Sequence, residues 1–287
     1  MTMNYSMEQM SENNKYIDAF IVGSDVLWYY DAFIKAGYTF LLDFVSDDKK
    51  KISYSTSFGN TARFFPKEEM EKARNLMSRF DSIAVRELEA VDICRDRFGV
   101  HATLVLDPVF LCGVNSWQRL ADRAKVRTEE KFLFAYMLDP TEEKAKAIRS
   151  FAEKKNLKVV SITDKQFNPE QKKDILKNCG IIRDADVNDF MYHLMNAEYI
   201  ITDSYHGFCF SLVFRKEFAV LINRSRGGSR FETLITLLGV GDRKIESISE
   251  LTSNPKINEP VNYKKISPVI ESEAMRCRQW LKDALEE

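Results

Sequence analysis

The chain has 287 residues, 45% hydrophobic and 30% charged, which is enough apolar material for one large α/β domain or two smaller ones. A formal net charge of -1 excludes the global basic field of a nucleic-acid binder, and no run has the length and apolarity of a membrane span. Residues 1–18 carry neither a basic flank nor a long apolar core, so no secretory signal is read and a cytoplasmic location is expected.

Residues 16–22 form an apolar run ending in Gly23-Ser24-Asp25, the pattern of a buried strand feeding a loop. An aromatic, apolar stretch follows at 38–45, then a charged run at 47–51 read as a solvated turn, and a strand at 51–55. A helix is predicted from Pro66 to about Arg79, with proline in its first turn and acids behind it. The strand 82–85 leads into Arg86, a helix at 87–97 stops near Gly99, and the strand 103–106 ends in Asp107-Pro108, which shapes a turn. Ser116 is the expected cap of a short helix to 123, and the charged stretch 123–131 reads as a linker. A second α/β series follows. Its strands are predicted at 132–138, 157–162 and 180–182, and its helices at 141–155, capped by Thr141, and at 187–196.

The stretch 199–238 repeats strand, polar loop and helix twice. Tyr199–Ile201 meets Thr202-Asp203-Ser204-Tyr205-His206-Gly207, and the run 218–222 meets Asn223-Arg224-Ser225-Arg226-Gly227-Gly228-Ser229-Arg230. Ligand sites in open α/β sheets lie at the carboxyl ends of strands, so a histidine loop and an arginine-glycine loop there suit an anion. A short helix is expected at 245–251 and a terminal helix at 267–285 with Pro268 at its start. Alternating strands and helices imply parallel sheets. The expected architecture is α/β, two Rossmann-like lobes facing a cleft, with an N-terminal lobe at 1–125, a C-terminal lobe at 126–266 and a terminal helix at 267–287 that returns to the first lobe.

The cysteines Cys94, Cys112, Cys179, Cys209 and Cys277 are scattered, odd in number and form no CxxC, which reads as reduced thiols. None sits in the charged setting that lowers a thiol pKa. The three histidines, His101, His193 and His206, form no HExxH or clustered pattern, so no metal site is expected. His101 and His193 read as surface or packed residues.

Three blocks in this order resemble the polysaccharide pyruvyl transferase family, from about Ile17 to Val240. The first is Phe20-Ile21-Val22-Gly23-Ser24-Asp25-Val26-Leu27-Trp28. The second runs from Lys51-Ile52-Ser53-Tyr54 through Ser57-Phe58-Gly59 to Val85-Arg86-Glu87 and Leu106-Asp107-Pro108-Val109-Phe110-Leu111. The third is 199–238. Val26 stands where the family commonly has Gln, Tyr29 where it has Asn, and Arg224 where it has Lys. The resemblance implies a GT-B-like fold, with a first lobe shortened at its amino end. It also implies transfer of a pyruvyl group from phosphoenolpyruvate to a sugar, giving a ketal, with no cofactor besides that donor substrate.

Such a reaction must hold a carboxylate and a phosphate, protonate a methylene and stabilise an oxocarbenium-like centre. Arginine forks suit both anions, and a histidine titrating near neutrality suits proton delivery. His206, Arg86 and Arg224 are therefore the candidate catalytic residues. For His206 the alternative is a structural histidine bonded to a backbone carbonyl, and for Arg86 an ordinary surface arginine. Arg224 keeps the charge of the family's lysine but cannot transfer a proton. Arg226 and Arg230 flank glycines that permit close backbone approach to a ligand, or simply a turn. Ser229 with Glu232 would cap the next helix. Asp25 and Asp203 are read as bases toward a sugar hydroxyl or as loop caps. Ser24, Asp25 and Trp28 are placed against a sugar ring, and Ser204 joins the substrate loop.

The leading reading is an enzyme acting on a glycan or lipid-linked sugar of a bacterial-type envelope pathway. Its partners would be phosphoenolpyruvate and that acceptor, with no nucleic acid and no transmembrane segment; peripheral membrane contact and a homo-oligomer are compatible with it. Two alternatives stand: a nucleotide-sugar glycosyltransferase on the same fold, and a shortened homologue that binds a glycan or sugar phosphate without catalysis.

Overall fold

In the computed structural model the described residues are 6–59, 67–162, 175–176, 178–182 and 184–286, without the side chains of 30 and 31. The predicted helix start at Pro66 lies outside them. The chain divides into two units. The first comprises Met1–Leu111, Arg224–Leu234 and Glu271–Glu287, and the second Cys112–Asn223 and Ile235–Ile270.

The first unit carries a four-stranded parallel sheet in the order β1 (Ala19–Gly23), β2 (Lys50–Thr56), β3 (Ser82–Val85), β4 (Thr103–Leu104). β2 is buried from Lys51 to Thr56, as expected of an inner strand covered on both faces. Lys51 therefore belongs to the strand rather than to a solvated turn, and its ammonium is bound by the carbonyl of Lys49 at 2.6 Å. Trp28, Phe58, Phe80, Val85 and Phe98 belong to the core of this unit. The helix Leu88–Ile93 continues as a π-turn over Cys94–Phe98 and stops at Gly99, whose φ is 70°. The chain's last helix, Tyr263–Glu286, gives its end to this unit: Cys277 Sγ accepts from the amide of Leu106, and Arg276 donates to the carbonyl of Leu104.

The second unit carries a five-stranded parallel sheet made of β5 (Phe132–Tyr136), β6 (Lys158–Ser161), β7 (Tyr199–Thr202), β8 (Glu217–Leu221) and β9 (Lys244–Ile245). The spatial order is β6-β5-β7-β8-β9, so the winding reverses between β5 and β7. The crevice beyond the carboxyl ends of those two strands is where a doubly wound sheet offers a ligand site. Leu133, Ala135, Ile201, Ala219 and Ile245 form the core with Phe151 and Ile148 of the helix Glu142–Lys154. Thr141 caps that helix by accepting from the amide of Lys144.

Several expected boundaries shift, each for a local reason. The helix predicted at 116–123 spans Val114–Ala121 with Gly113 as cap. Its Trp117 packs edge-on against Phe210 at 5.0 Å, so the first unit ends before 112 rather than near 125. Arg224–Leu234 clusters with the first unit, not the second. Residues 180–182 give only an isolated bridge, Ser161 with Ile181. The segment 245–251 is not one helix: Lys244–Ile245 pairs with β8 and a helix follows at Glu250–Ser253. Pro268 lies inside the last helix, which begins at Tyr263 and not at 267.

Candidate active site

The reversal point of the second sheet is built by three loops. Asp203, directly after β7, is 1% exposed, and its carboxylate accepts from the amides of Leu138 at 2.5 Å and Asp139 at 3.2 Å. Lys144 closes the arrangement, with its ammonium 3.0 Å from Asp203 Oδ2 and 2.6 Å from the carbonyl of Asp139. Asn223, after β8, donates to Asp139 Oδ2 at 2.6 Å. Asp203 thus clamps the loops after β5 and β7. Three donors engage its carboxylate there, which favours the loop-cap alternative over a base toward a sugar hydroxyl.

The helix Tyr205–Val213 starts at this point. Ser204 is its cap, buried, with Oγ accepting from the amide of Gly207 at 3.3 Å, so its hydroxyl is not presented to a substrate. A Cβ at Gly207 would lie 2.4 Å from Thr202 Oγ1, and that hydroxyl is already bonded to the carbonyl of Tyr136. Only glycine lets the first helical turn settle this closely on the end of β7. His206, by contrast, is half-buried on that turn, beside residues of the switch crevice.

In the first unit the loops after β1, β3 and β4 converge on Arg86. Its side chain is fully buried; it donates to Asp107 Oδ2 at 2.9 Å and to the carbonyl of Ser24 at 3.2 Å, and lies 3.4 Å from Asp25 Oδ1. The surface-arginine alternative is therefore excluded by burial. Asp107 does more than shape a turn: Oδ1 caps Pro108–Phe110 through the amide of Val109, and Oδ2 pairs with Arg86. Asp25 caps its own loop through the amide of Val26 at 2.7 Å while its side chain stays 64% exposed. Ser24 adopts φ 72°, a left-handed conformation that turns its carbonyl toward Arg86.

Trp28 is not placed against a sugar. It is 1% exposed, its Nε1 donates to the carbonyl of Phe40, and its ring packs against Phe58 and Phe80. The arginine loop also differs from expectation. A Cβ at Gly227, where φ is 93°, would fall 3.1 Å from the Cα of Gly59, so the close approach is to the chain's own backbone rather than to a ligand. The helix Ser229–Leu238 begins at Ser229 itself, and the carbonyl of Gly228 accepts from Phe231 and Glu232. Arg230 is buried and donates to the carbonyl of Arg226 at 2.8 Å, whereas Arg224 is exposed and Arg226 half-buried.

Four residues escaped the sequence reading: Lys144, Asp139, Asn223 and Glu87. Lys144 carried a signal, because a lysine in the first turn of a helix opposes the macrodipole and needs a local reason. Glu87 is 2% exposed; Oε1 accepts from the amide of Phe58 at 3.0 Å. Burial raises its pKa above the usual carboxylate range, against the lowering effects of Arg86, the Ser57 hydroxyl, the Phe58 amide and Arg230. His193 is a packed residue, buried, with Nδ1 2.7 Å from the carbonyl of Asp189 and its pKa lowered by burial. Among the described residues no group of three or more His, Cys, Asp and Glu is arranged to hold a metal, and no helix is long and apolar enough to cross a membrane.

Similar architectures occur among solved structures. UDP-GlcNAc 2-epimerase from Neisseria meningitidis bound to UDP-GlcNAc is 15% identical, covering 98% of this chain and 84% of that one, with a TM-score of 0.56. UDP-GlcNAc 2-epimerase from Methanocaldococcus jannaschii is 14% identical, covering 96% and 81%, also at 0.56. A glycosyltransferase from Rickettsia africae ESF-5 is 10% identical, covering 100% and 83%, at 0.53. At such identities the likeness shows the fold, a GT-B-like α/β architecture with parallel sheets. No curated protein sequence matches the chain. The profile of the polysaccharide pyruvyl transferase family matches residues 3–225, most of the chain. The chain therefore belongs to the polysaccharide pyruvyl transferase family.

Proposed function

We propose that the protein transfers the pyruvyl group of phosphoenolpyruvate to a sugar of a polysaccharide or its precursor, forming a pyruvate ketal. Beyond family membership, the observation that carries the reading is His206, half-buried on the first helical turn beyond β7, where the strand order of its sheet reverses. A proton donor there suits the first chemical step. Protonation of the donor methylene gives an oxocarbenium-like centre, a sugar hydroxyl adds to it, and a second hydroxyl displaces phosphate. The two hydroxyl protons balance the new methyl hydrogen and the proton carried away by phosphate. Arg224, Arg226 and Arg230 hold the donor anions in this reading, with Arg86 fixing the loops after β1 and β4.

The test is incubation of the purified protein with phosphoenolpyruvate and glycan or lipid-linked acceptors, following phosphate release. Acceptor-dependent release is expected. Turnover of a nucleotide sugar without phosphoenolpyruvate turnover would replace the reading with a glycosyltransferase. Glycan binding with neither activity would make the chain a binding homologue.

A further inference from the structure

The first unit holds an open cavity of about 600 Å³ that the proposed chemistry leaves unused. Its walls come from Ser11 and Asn14 ahead of β1, from 43–47 ahead of β2 and from Arg79 ahead of β3, so it lies at the amino ends of these strands. In a parallel sheet the loops after the strands lie at the other end, which places Ser24, Arg86 and Asp107 a strand's length away. The volume suits a small molecule, for which sites of about 300–1,000 Å³ are usual, but the wall is polar where such sites are mostly apolar. Asn14 fixes its shape by donating to the carbonyls of Ser11 at 2.8 Å and Phe44 at 2.9 Å and accepting from the amide of Ser46 at 2.9 Å. Arg79 adds a pair from Nε to Asp47 Oδ1 at 2.9 Å and a bond from Nη2 to the carbonyl of Val45.

These bonds leave a mixed set of groups. Arg79 Nη1, Asp47 Oδ2 and the hydroxyls of Ser11 and Ser46 have no hydrogen-bond partner among the described residues. Asp43 Oδ1 is buried and also lacks one. Burial raises the pKa of Asp43, outweighing Lys72, the amides of Asp43 and Phe44, and Arg79. A fixed donor, fixed acceptors and two hydroxyls that serve as either call for a ligand whose groups both donate and accept. A strong anion would meet two carboxylates, and a cation would find Arg79 already beside Asp47. Neighbouring hydroxyls of a sugar ring fit: a pair spans a carboxylate, and one gives Asp43 Oδ1 the donor that burial denies it. Phe44, half-buried and edge-on to Phe20 at 5.8 Å, adds an apolar ring for the C–H face of a sugar. We propose that this cavity is a saccharide-binding site for neutral pyranose residues of a glycan, separate from the loops of the transfer reading. Binding here needs no transfer at the other end of the sheet.

The test is amide NMR of the isotope-labelled full chain, titrated with the methyl glycosides of glucose, galactose and mannose, with maltose and cellobiose, and separately with inorganic phosphate. Saturable shifts are expected at the amides of Ser46 and Asp47 and at the Arg79 Nε–H for at least one sugar. Asp47→Ala removes a mostly exposed carboxylate, and Ser46→Trp fills the cavity from an exposed position, so both variants keep the fold. Each is expected to weaken that sugar roughly tenfold or more, with the rest of the spectrum unchanged. Absence of saturable shifts with every sugar up to its solubility, shifts confined to the loops after the strands, or unchanged affinity in both variants overturns the proposal. The same resonances moving with phosphate and with none of the sugars would make the cavity an anion site and overturn it too. Phosphate release from phosphoenolpyruvate is read in its own assay, so failure of transfer leaves the saccharide site standing, and loss of this site leaves transfer standing.

Discussion

Replacing Asp203 by Asn tests whether that residue is a clamp. The carboxylate holds the amides of Leu138 and Asp139 and the ammonium of Lys144, at 1% exposure. An asparagine keeps one acceptor oxygen and turns an NH2 group toward the remaining donors. The lost charge-assisted bond is worth roughly 1.5–3 kcal/mol, and an amide left without its acceptor adds about 1 kcal/mol. Lys144 is 17% exposed, so solvent screens little of this pair. The expected loss is roughly 2–4 kcal/mol, a fall in Tm on the order of 4–16 °C. Thermal unfolding of the wild type, Asp203→Asn, Lys144→Met and the double variant gives a cycle, with a coupling of about 1–3 kcal/mol expected. Amide exchange at Leu138 and Asp139 should accelerate in Asp203→Asn. A coupling below about 0.5 kcal/mol, with unchanged exchange, would refute the clamp and reopen Asp203 as a base.

His206→Ala should abolish phosphate release yet shift stability by less than about 1 kcal/mol, and retained turnover sinks the catalytic assignment. Arg86→Met should destabilise by about 3–5 kcal/mol in urea titration, since it strands the buried Asp107 carboxylate; a variant of full stability that merely binds donor less well would show that Arg86 is a ligand rather than a support. The raised folded pKa of Glu87 gives stability that is present at low pH and lost as pH rises from the unfolded carboxylate range through that pKa, so Glu87→Gln should gain on the wild type across this window and keep a constant lead above it; Tm curves that run parallel throughout would contradict this.

Much of this was legible because parallel strands buried on both faces are continuous apolar runs. Residues 132–136, 199–202 and 217–221 are of that kind, and their polar ends mark the loops after them. The helix capped by Thr141 and the helix from Val187 were equally plain, though the Asp186 cap of the second was not read. What failed was the use to which polar loop residues are put. Asp203, Ser204 and Trp28 read as substrate contacts because their types suit a sugar, yet one is a loop clamp, one a helix cap and one a core ring. A loop aspartate near a backbone amide and one near a hydroxyl look identical in a linear string. The partition of Arg224–Leu234 was hidden for a related reason: only Gly227, meeting Gly59, shows which core that loop settles on.

Burial also changes what Arg86 can contribute. A guanidinium with a fully exposed face attracts an anion by its net charge, but Arg86 and Asp107 are both fully buried and 2.9 Å apart, so together they present no net charge. Asp25, 3.4 Å away and mostly exposed, makes the near field more negative still. An incoming phosphate would gain little long-range attraction from this trio. In the first unit Arg224 is exposed and Arg226 half-buried, so their guanidiniums are reachable from solvent where that of Arg86 is not. Under the proposed function, arginine in place of the family's usual lysine at 224 would offer phosphate or carboxylate a planar fork with two parallel bonds where an ammonium offers a point charge. Arg86 thus sets the shape of the loops after β1 and β4, and it is the proposed function that assigns the binding charge to the loop at 224–230.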